Sequence, residues 1–254
     1  MPKGYRFFVA LVFFAAVSTL QAQPYQRKAE ATPSQPISGL TQSLWNAYER
    51  AIYDSSVYQR WNLRLLRPLT PDAAGQVIVA TATSREGNVG DTIVVPAQGI
   101  WVTGVPEVQT ICRNFHGDVT MQVRQLLGLP PDADAPRVLV FKVNNSDIFR
   151  PSPDDNTSTT YPCQYSDNTL PPLDCGNVFP STTTPAHYQW IATESFLLHT
   201  IPNGYPWTHL GYTYNWAPGA DRYGASEYVI RGGANALIVH VATTVQYCAP
   251  VPTP

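Results

Sequence analysis

The sequence predicts an α+β domain with a mainly antiparallel sheet, two or three packing helices and stabilising disulfide bonds. Short β-branched stretches and amphipathic stretches of helical period interleave along the chain without regular βαβ spacing, which is typical of that class. The chain has 254 residues, of which only 13% are charged, and it contains 14 tyrosines and six tryptophans. Such a composition is opposite to that of disordered chains and can form a sizeable core. Its four cysteines are an even number, which favours pairing in an exported protein.

The N-terminal stretch indicates export. Lys3 and Arg6 precede an unbroken apolar run over residues 7–17, and a polar stretch follows, which is the order of a secretory signal peptide. We expect the signal peptide to be 1–22, with cleavage after Ala22. The apolar run is shorter than the roughly 20 residues that span a bilayer, and no second long apolar run follows. The sequence therefore predicts a secreted or periplasmic protein with no membrane span in the mature chain.

Residues 23–37 are rich in proline and glutamine and predict a flexible mature N-terminus. Residues 38–254 then form one globular domain. Without the leader, 14 basic residues face 18 acidic ones, a formal net charge of about −4. This balance argues against a dedicated nucleic-acid binder, which needs a basic surface to meet phosphates.

In the first half of the domain, apolar residues recur at helical spacing or alternate as in strands. Gly128 and the pair Pro130-Pro131 end the longest helical stretch. The predicted elements are a helix over 41–54, strands over 76–83, 91–95 and 99–103, a helix over 106–127 and a strand over 137–143.

In the second half, residues 144–183 turn to Pro, Asp, Asn, Ser and Thr and predict a long loop. A helix is expected from Thr184 to about His199, with Tyr188, Ile191 and Leu198 facing inward. A meander follows, in which Tyr212, Tyr214 and Trp216 share one strand face. The last two predicted strands, 226–231 and 236–248, form a hairpin through Gly232-Gly233.

None of the four cysteines has the C-x-x-C spacing of a zinc or redox site, so we expect disulfides and no metal centre. Four cysteines allow three connectivities. A local bridge, Cys163–Cys175, would hold the 144–183 loop, and this leaves Cys112 for Cys248. A bridge that closes so long a loop contributes about 4–5 kcal/mol in the chain-entropy model.

The chain has no nucleophile elbow, phosphate-binding loop, zinc-protease motif or dinucleotide-binding glycine motif. One stretch does draw notice, because Ser226-Glu227-Tyr228-Val229-Ile230 places an acid at the start of an apolar strand that Gly232-Gly233 ends. This resembles the third signature of ADP-ribosyltransferase folds, over about twenty residues within 211–240. Ala225 stands where many transferases have a second acid. The second signature matches Tyr212-Thr213-Tyr214, and the first corresponds by position only to Arg137.

The resemblance implies that Glu227 steadies the oxocarbenium-like sugar as nicotinamide leaves NAD. It would make NAD a co-substrate, with no tightly bound cofactor, and the protein a toxin- or effector-like enzyme acting on a protein or small-molecule target. The candidate catalytic residues are Glu227, Tyr212 and Tyr214, with His209 as a basic partner.

Three other interpretations stay open. Glu227 could be a solvated carboxylate on an edge strand, paired with Arg222 or Arg231. His199 and His209, with one of those arginines, could cleave RNA as base and acid. The protein could instead be a non-catalytic binding or structural module, because seven aromatic residues fall within 205–228 and such clusters suit ligand surfaces.

Overall fold

The computed structural model describes residues 39–56, 63–160, 179–200 and 204–249. The predicted signal peptide, the 23–37 segment and the predicted Cys163–Cys175 bridge lie outside the described residues. Among the described helices, none is long and apolar enough to cross a membrane.

The described part of the chain confirms an α+β fold with a mainly antiparallel sheet. It has eight strands and five helices, most of them within one to three residues of the predicted bounds. In chain order they are α1 Gly39–Ser55, β1 Gln76–Thr83, β2 Thr92–Val94, β3 Ile100–Gly104, α2 Glu107–Cys112, α3 Val119–Leu126, β4 Arg137–Asn144, β5 Ile148–Phe149, α4 Pro185–Leu198, β6 Tyr212–Tyr214, β7 Tyr223–Ile230, β8 Asn235–Thr243 and α5 Thr244–Cys248.

The strands follow the order β2-β8-β4-β1-β3-β7-β5, and β6 also pairs with β7. Every pairing is antiparallel, and the longest runs over all eight residues of β1 against β4.

The predicted hairpin between the last two strands is wrong. Three strands separate β7 from β8, although only residues 231–234 connect them. The Gly232-Gly233 turn contacts the segment that follows β2. The Gly233 N–H donates to Val95 O, and Gly232 packs on the Ala97 backbone. In a flat sheet, β7 and β8 would lie four strand spacings apart, which is about 19 Å. That distance is about the greatest length that residues 231–234 can span when fully extended. The sheet must therefore coil strongly.

The two faces of the sheet carry two separate apolar clusters. Val79, Leu139, Phe141, Tyr228 and Ile238 belong to the first, which contains residues of six strands and is enclosed by the coiled sheet. The second lies under the helices, where β-strand residues meet α2, α3 and α5. Alternation along each strand produces this division, since successive side chains point to opposite faces.

The Cys112–Cys248 bridge joins α2 to α5 and is confirmed, with 5.1 Å between the Cα atoms. Cys248 lies on a short helix and not at the end of a strand as predicted. Thr243 ends β8 because its side chain accepts from Gln246 N, while the Gln246 side chain accepts from Thr243 N, a capping box that starts α5.

The predicted helix over 106–127 is two helices. The helix α2 ends at Cys112, and residues 113–118 turn between the two helices, with Gly117 at φ +78°. The Asp118 side chain then accepts from Met121 N to start α3. The apolar stripe continues across the break because α2 and α3 both pack into the second cluster.

The segment over 144–160 is packed more tightly than a loop of its composition suggests. It contains a 3₁₀ turn and β5, which pairs with β7. Arg150 is fully buried and donates to three backbone carbonyls, those of Asn156, Thr157 and Thr159.

The helix α4 begins at Pro185 with Thr184 as its cap, as expected. Ile191 is buried, as predicted, and Leu198 is half-buried. Tyr188 instead faces outward and contacts Phe179.

Candidate functional site

A cavity of about 270 Å³ lies between the helix-facing side of β3 and β7, the end of α3, the end of α4 and the segment before β6. We call it the Glu227 cavity. Its walls are mostly apolar, and its polar side chains are Glu227, Thr213 and the Tyr205 phenol. The remaining lining residues are Trp101, Leu127, Gly128, Leu129, Leu198, Pro206 and Trp207.

Strand alternation brings Glu227 to this cavity. Tyr228 and Ile230 point into the core enclosed by the sheet, so Glu227 points to the opposite face. It lies opposite Thr103 of β3, and its N–H donates to Gly211 O at 2.9 Å. β7 is an interior strand, so Glu227 is not a carboxylate on an open edge.

The two arginines offered as partners of Glu227 bind other acids. Arg222 pairs with Asp54 at 3.6 Å, and Arg231 pairs with Asp155 at 4.0 Å. Within the described residues, Glu227 Oε2 is buried and has no hydrogen-bond partner. Burial raises the pKa of Glu227 to about 8, because no nearby positive charge compensates for lost hydration. The carboxyl is therefore mostly protonated at pH 7, while part of the side chain keeps its exposure.

Aromatic rings form one side of the cavity. Trp101 and Trp207 meet edge to face, with ring centroids 5.8 Å apart and planes at 82°. Trp190 supports both rings at 5.8 and 5.9 Å. The Trp207 Nε1 is buried without an acceptor in the described part of the chain. The cavity-lining residues thus include two buried polar atoms, one carboxyl oxygen and one indole nitrogen, that no group in the described ranges satisfies.

His209 does not line the cavity. Its ring packs against Trp207 with centroids 3.7 Å apart, and it stacks on His199 at 5.1 Å. The Nε2 of His199 donates to Trp207 O at 2.9 Å, and burial lowers the pKa of His199. The two histidines therefore support Trp207, and His209 itself has a left-handed backbone with φ 58°.

A Ser–His contact near the cavity does not form an activated nucleophile. Ser195 Oγ lies 3.1 Å from His209 Nε2 and donates its proton to Ile191 O at 2.7 Å. Because the hydroxyl proton is committed to that carbonyl, His209 Nε2 acts as the donor to Ser195 and not as a base.

Tyr212 and Tyr214 are buried away from the Glu227 cavity. Tyr212 packs with Leu66 and Leu210, and burial raises its pKa. Tyr214 packs against α1, and burial raises its pKa to about 12. Tyr212 and Tyr214 lie in different apolar clusters and do not share one strand face, and Thr213, between them, lines the cavity. The structure thus brings none of the other three candidate catalytic residues beside Glu227.

Arg137, the positional match to the first transferase signature, begins β4 and contacts Glu86 at 3.7 Å. It is not among the cavity residues. Trp101 and Leu127 also line the cavity. The sequence does not mark them as functional, because each fits the pattern of an ordinary strand or helix.

Comparisons with protein-family models, with curated proteins and with solved structures give no match for this chain. Within the described ranges, no group of three or more His, Cys, Asp or Glu side chains is placed to hold a metal ion. The site is therefore an apolar, aromatic cavity with one neutral carboxyl that can donate or accept a hydrogen bond.

Proposed function

We propose that this is a secreted protein that binds a small, mostly apolar ligand in the Glu227 cavity and fixes it through the Glu227 carboxyl. The observation that carries the proposal is the carboxyl oxygen Oε2, which is buried in an apolar cavity without a partner among the described residues. A buried polar group left unsatisfied costs about 1–3 kcal/mol. A ligand that satisfies this oxygen would offset that cost on binding.

Binding is favoured over chemistry because Glu227 has no catalytic partner in the cavity. General acid–base catalysis needs a second group within hydrogen-bond reach of the reacting atoms. The described residues that line the cavity include no His, Lys or Arg. Its volume of about 270 Å³ lies just below the range of about 300–1,000 Å³ for drug-sized ligands. The ligand is therefore expected to be about one ring in size.

Ligand-observed NMR with a set of one-ring fragments tests the proposal. An eight-atom fragment that gains about 0.5 kcal/mol per atom would bind with a Kd of about 1 mM. The variant Leu198→Trp fills the cavity and is expected to abolish the signals. Phe196→Ala, on the same helix but 79% exposed, is the matched control and should bind as wild type does. Equal fragment binding by wild type and Leu198→Trp would contradict the proposal.

The second candidate is the NAD-dependent ADP-ribosyltransferase activity. The observation that favours it is the position of Glu227, at a strand of an antiparallel sheet with its carboxyl in a cavity. Two features weigh against it. Tyr212 and Tyr214 face elsewhere, and the carboxyl, with a pKa of about 8, must first lose its proton before it can stabilise a cationic sugar at pH 7.

Nicotinamide release from NAD separates the two functions. The transferase predicts release that rises toward pH 8–9, as Glu227 ionises, and that Glu227→Gln abolishes. Background release by both proteins across this pH range, with protein targets present, would exclude the transferase and leave the binding function.

A further inference from the structure

Among the described residues, the Glu227 cavity is lined by one acid and three aromatic side chains and by no basic side chain. An anionic ligand would meet a carboxyl and no positive charge, so it would be desolvated without compensation. A neutral ligand could bond to the protonated carboxyl, and an acceptor on it could bond to Trp207 Nε1, but it would gain only apolar contact from the aromatic faces. A cation gains from both.

The aromatic wall has the form that attracts a cation. Trp101 and Trp207 meet at 82°, so their rings make a corner, and Tyr205 adds a third aromatic residue to the lining. The negative faces of such rings attract organic ammonium groups, most strongly where water is excluded. Trp190 behind the corner fixes both indoles at under 6 Å, so the wall is already ordered before a ligand arrives.

We propose that the ligand of the Glu227 cavity is a small organic ammonium ion, held between the Glu227 carboxylate and the indole corner of Trp101 and Trp207. This inference rests on the proposed binding function and names the ligand class for the same cavity. The protonated carboxyl gives up its proton when the cation enters, and the two charges then form a charge-assisted hydrogen bond away from bulk water. No covalent bond forms or breaks; the proton passes to solvent.

The other titratable side chains near the cavity allow the released proton to be assigned to Glu227. Tyr205 is the other titratable residue in the cavity lining. From α4, His199 lies behind Trp207 and has a pKa lowered by burial, so it is neutral near pH 7. His209 also packs on Trp207. Glu194, on α4 but outside the lining, has a pKa raised by burial, which makes Glu194→Gln the matched control for Glu227→Gln.

Isothermal titration with benzylammonium and its neutral isostere, benzyl alcohol, tests the inference on the purified full chain. Benzylammonium should bind at least tenfold tighter than benzyl alcohol at pH 7.5. Its affinity should rise between pH 6 and 8, approaching tenfold per pH unit, with release of about one proton, because the carboxyl must ionise first. Glu227→Gln should lose at least tenfold in benzylammonium affinity and keep its benzyl alcohol affinity within about twofold.

Further variants separate the contributions. Glu194→Gln should bind both compounds as wild type does, and Trp101→Leu should reduce the preference for the ammonium over the alcohol. Equal or tighter binding of benzyl alcohol, or affinity that falls as pH rises, would overturn the ammonium inference and leave the binding function standing. The same holds if neutral fragments bind and benzylammonium does not. If no fragment of any class binds, the proposed function fails and this inference fails with it.

Discussion

Replacing Glu227 with Gln changes one oxygen for an NH₂ group and removes a titratable group from the apolar cavity. The folded chain holds the Glu227 proton to a pKa of about 8, against an ordinary value of 4.5. Between these two values the folded state binds more protons than the unfolded state, so the free energy of unfolding falls as pH rises. Glu227 therefore leaves the free energy of unfolding unchanged below about pH 4.5 and lowers it by the full amount above about pH 8.

The size of the effect follows from the two pKa values. A tenfold change in proton concentration corresponds to about 1.4 kcal/mol, so the full penalty is about 5 kcal/mol above pH 8. Glu227 is half-buried and the cavity admits water. We therefore expect about half of this, 2–3 kcal/mol. Glu227→Gln should be close to wild type in stability at pH 5 and about 2–3 kcal/mol more stable at pH 9.

Urea unfolding followed by tryptophan fluorescence at pH 5, 7 and 9 measures the difference. Burial also raises the pKa of Glu107 and Glu194, but these groups are common to both proteins and cancel in the comparison. Glu86→Gln, whose side chain is 88% exposed, should follow the wild-type curve. Parallel stability curves for wild type and Glu227→Gln from pH 5 to 9 would refute the placement of Glu227 in an apolar setting without a charged partner.

Three further predictions concern the scaffold. Replacing Cys112 and Cys248 together by Ala removes a bridge across 136 residues and should cost about 5 kcal/mol in the chain-entropy model; a loss under about 1 kcal/mol in urea unfolding would contradict it. Arg150→Lys keeps the charge but loses the forked donors to the 156–159 carbonyls, so a loss of about 2–3 kcal/mol is expected, and wild-type stability would show that these bonds contribute little. Asp118→Ala removes the cap of α3 and should cost about 1 kcal/mol, whereas Asp118→Asn should cost little; equal losses would indicate a charge effect instead.

The local elements could be predicted because each one carries its own periodicity. β1 and β4 alternate or run apolar over eight residues, and the sequence bounds match the structure within one residue. Breaks inside a continuous apolar pattern were harder. The apolar stripe over 106–127 continues past Cys112, where α2 ends, so the pattern does not show the turn over 113–118 that separates α2 from α3.

Strand order could not be predicted from adjacent segments. Two β-stretches around Gly-Gly favour a hairpin, yet β7 and β8 pair with other strands. The pairing is decided by coiling of the whole sheet around a core to which six strands contribute. That is a non-local property, and no window of sequence around Gly232 contains it.

The cavity depends on the same non-local packing, together with close backbone approach. At Gly224, a Cβ would lie 2.0 Å from Thr213 Oγ1 and 2.3 Å from Leu126 O, so only glycine lets β7, β6 and the end of α3 meet. Thr213 then donates to Leu126 O and accepts from Ala225 N, which fixes its side chain at the cavity wall. A sequence pattern can mark Tyr212 and Tyr214 as one face, but it cannot say which face meets Glu227.

Glu227 stands out in the sequence for a physical reason that does not depend on the function: it is a glutamate within a strand. Strands disfavour glutamate, and an interior strand that carries an unpaired one is less stable than the same strand with an apolar residue. Sequences that specify a fold are consistent at every level except where function requires otherwise. A carboxyl at an interior position of β7, with apolar neighbours and no partner among the described residues, is such an exception. A ligand that bonds to Glu227 Oε2 would offset the stability that the fold loses by burying this carboxyl.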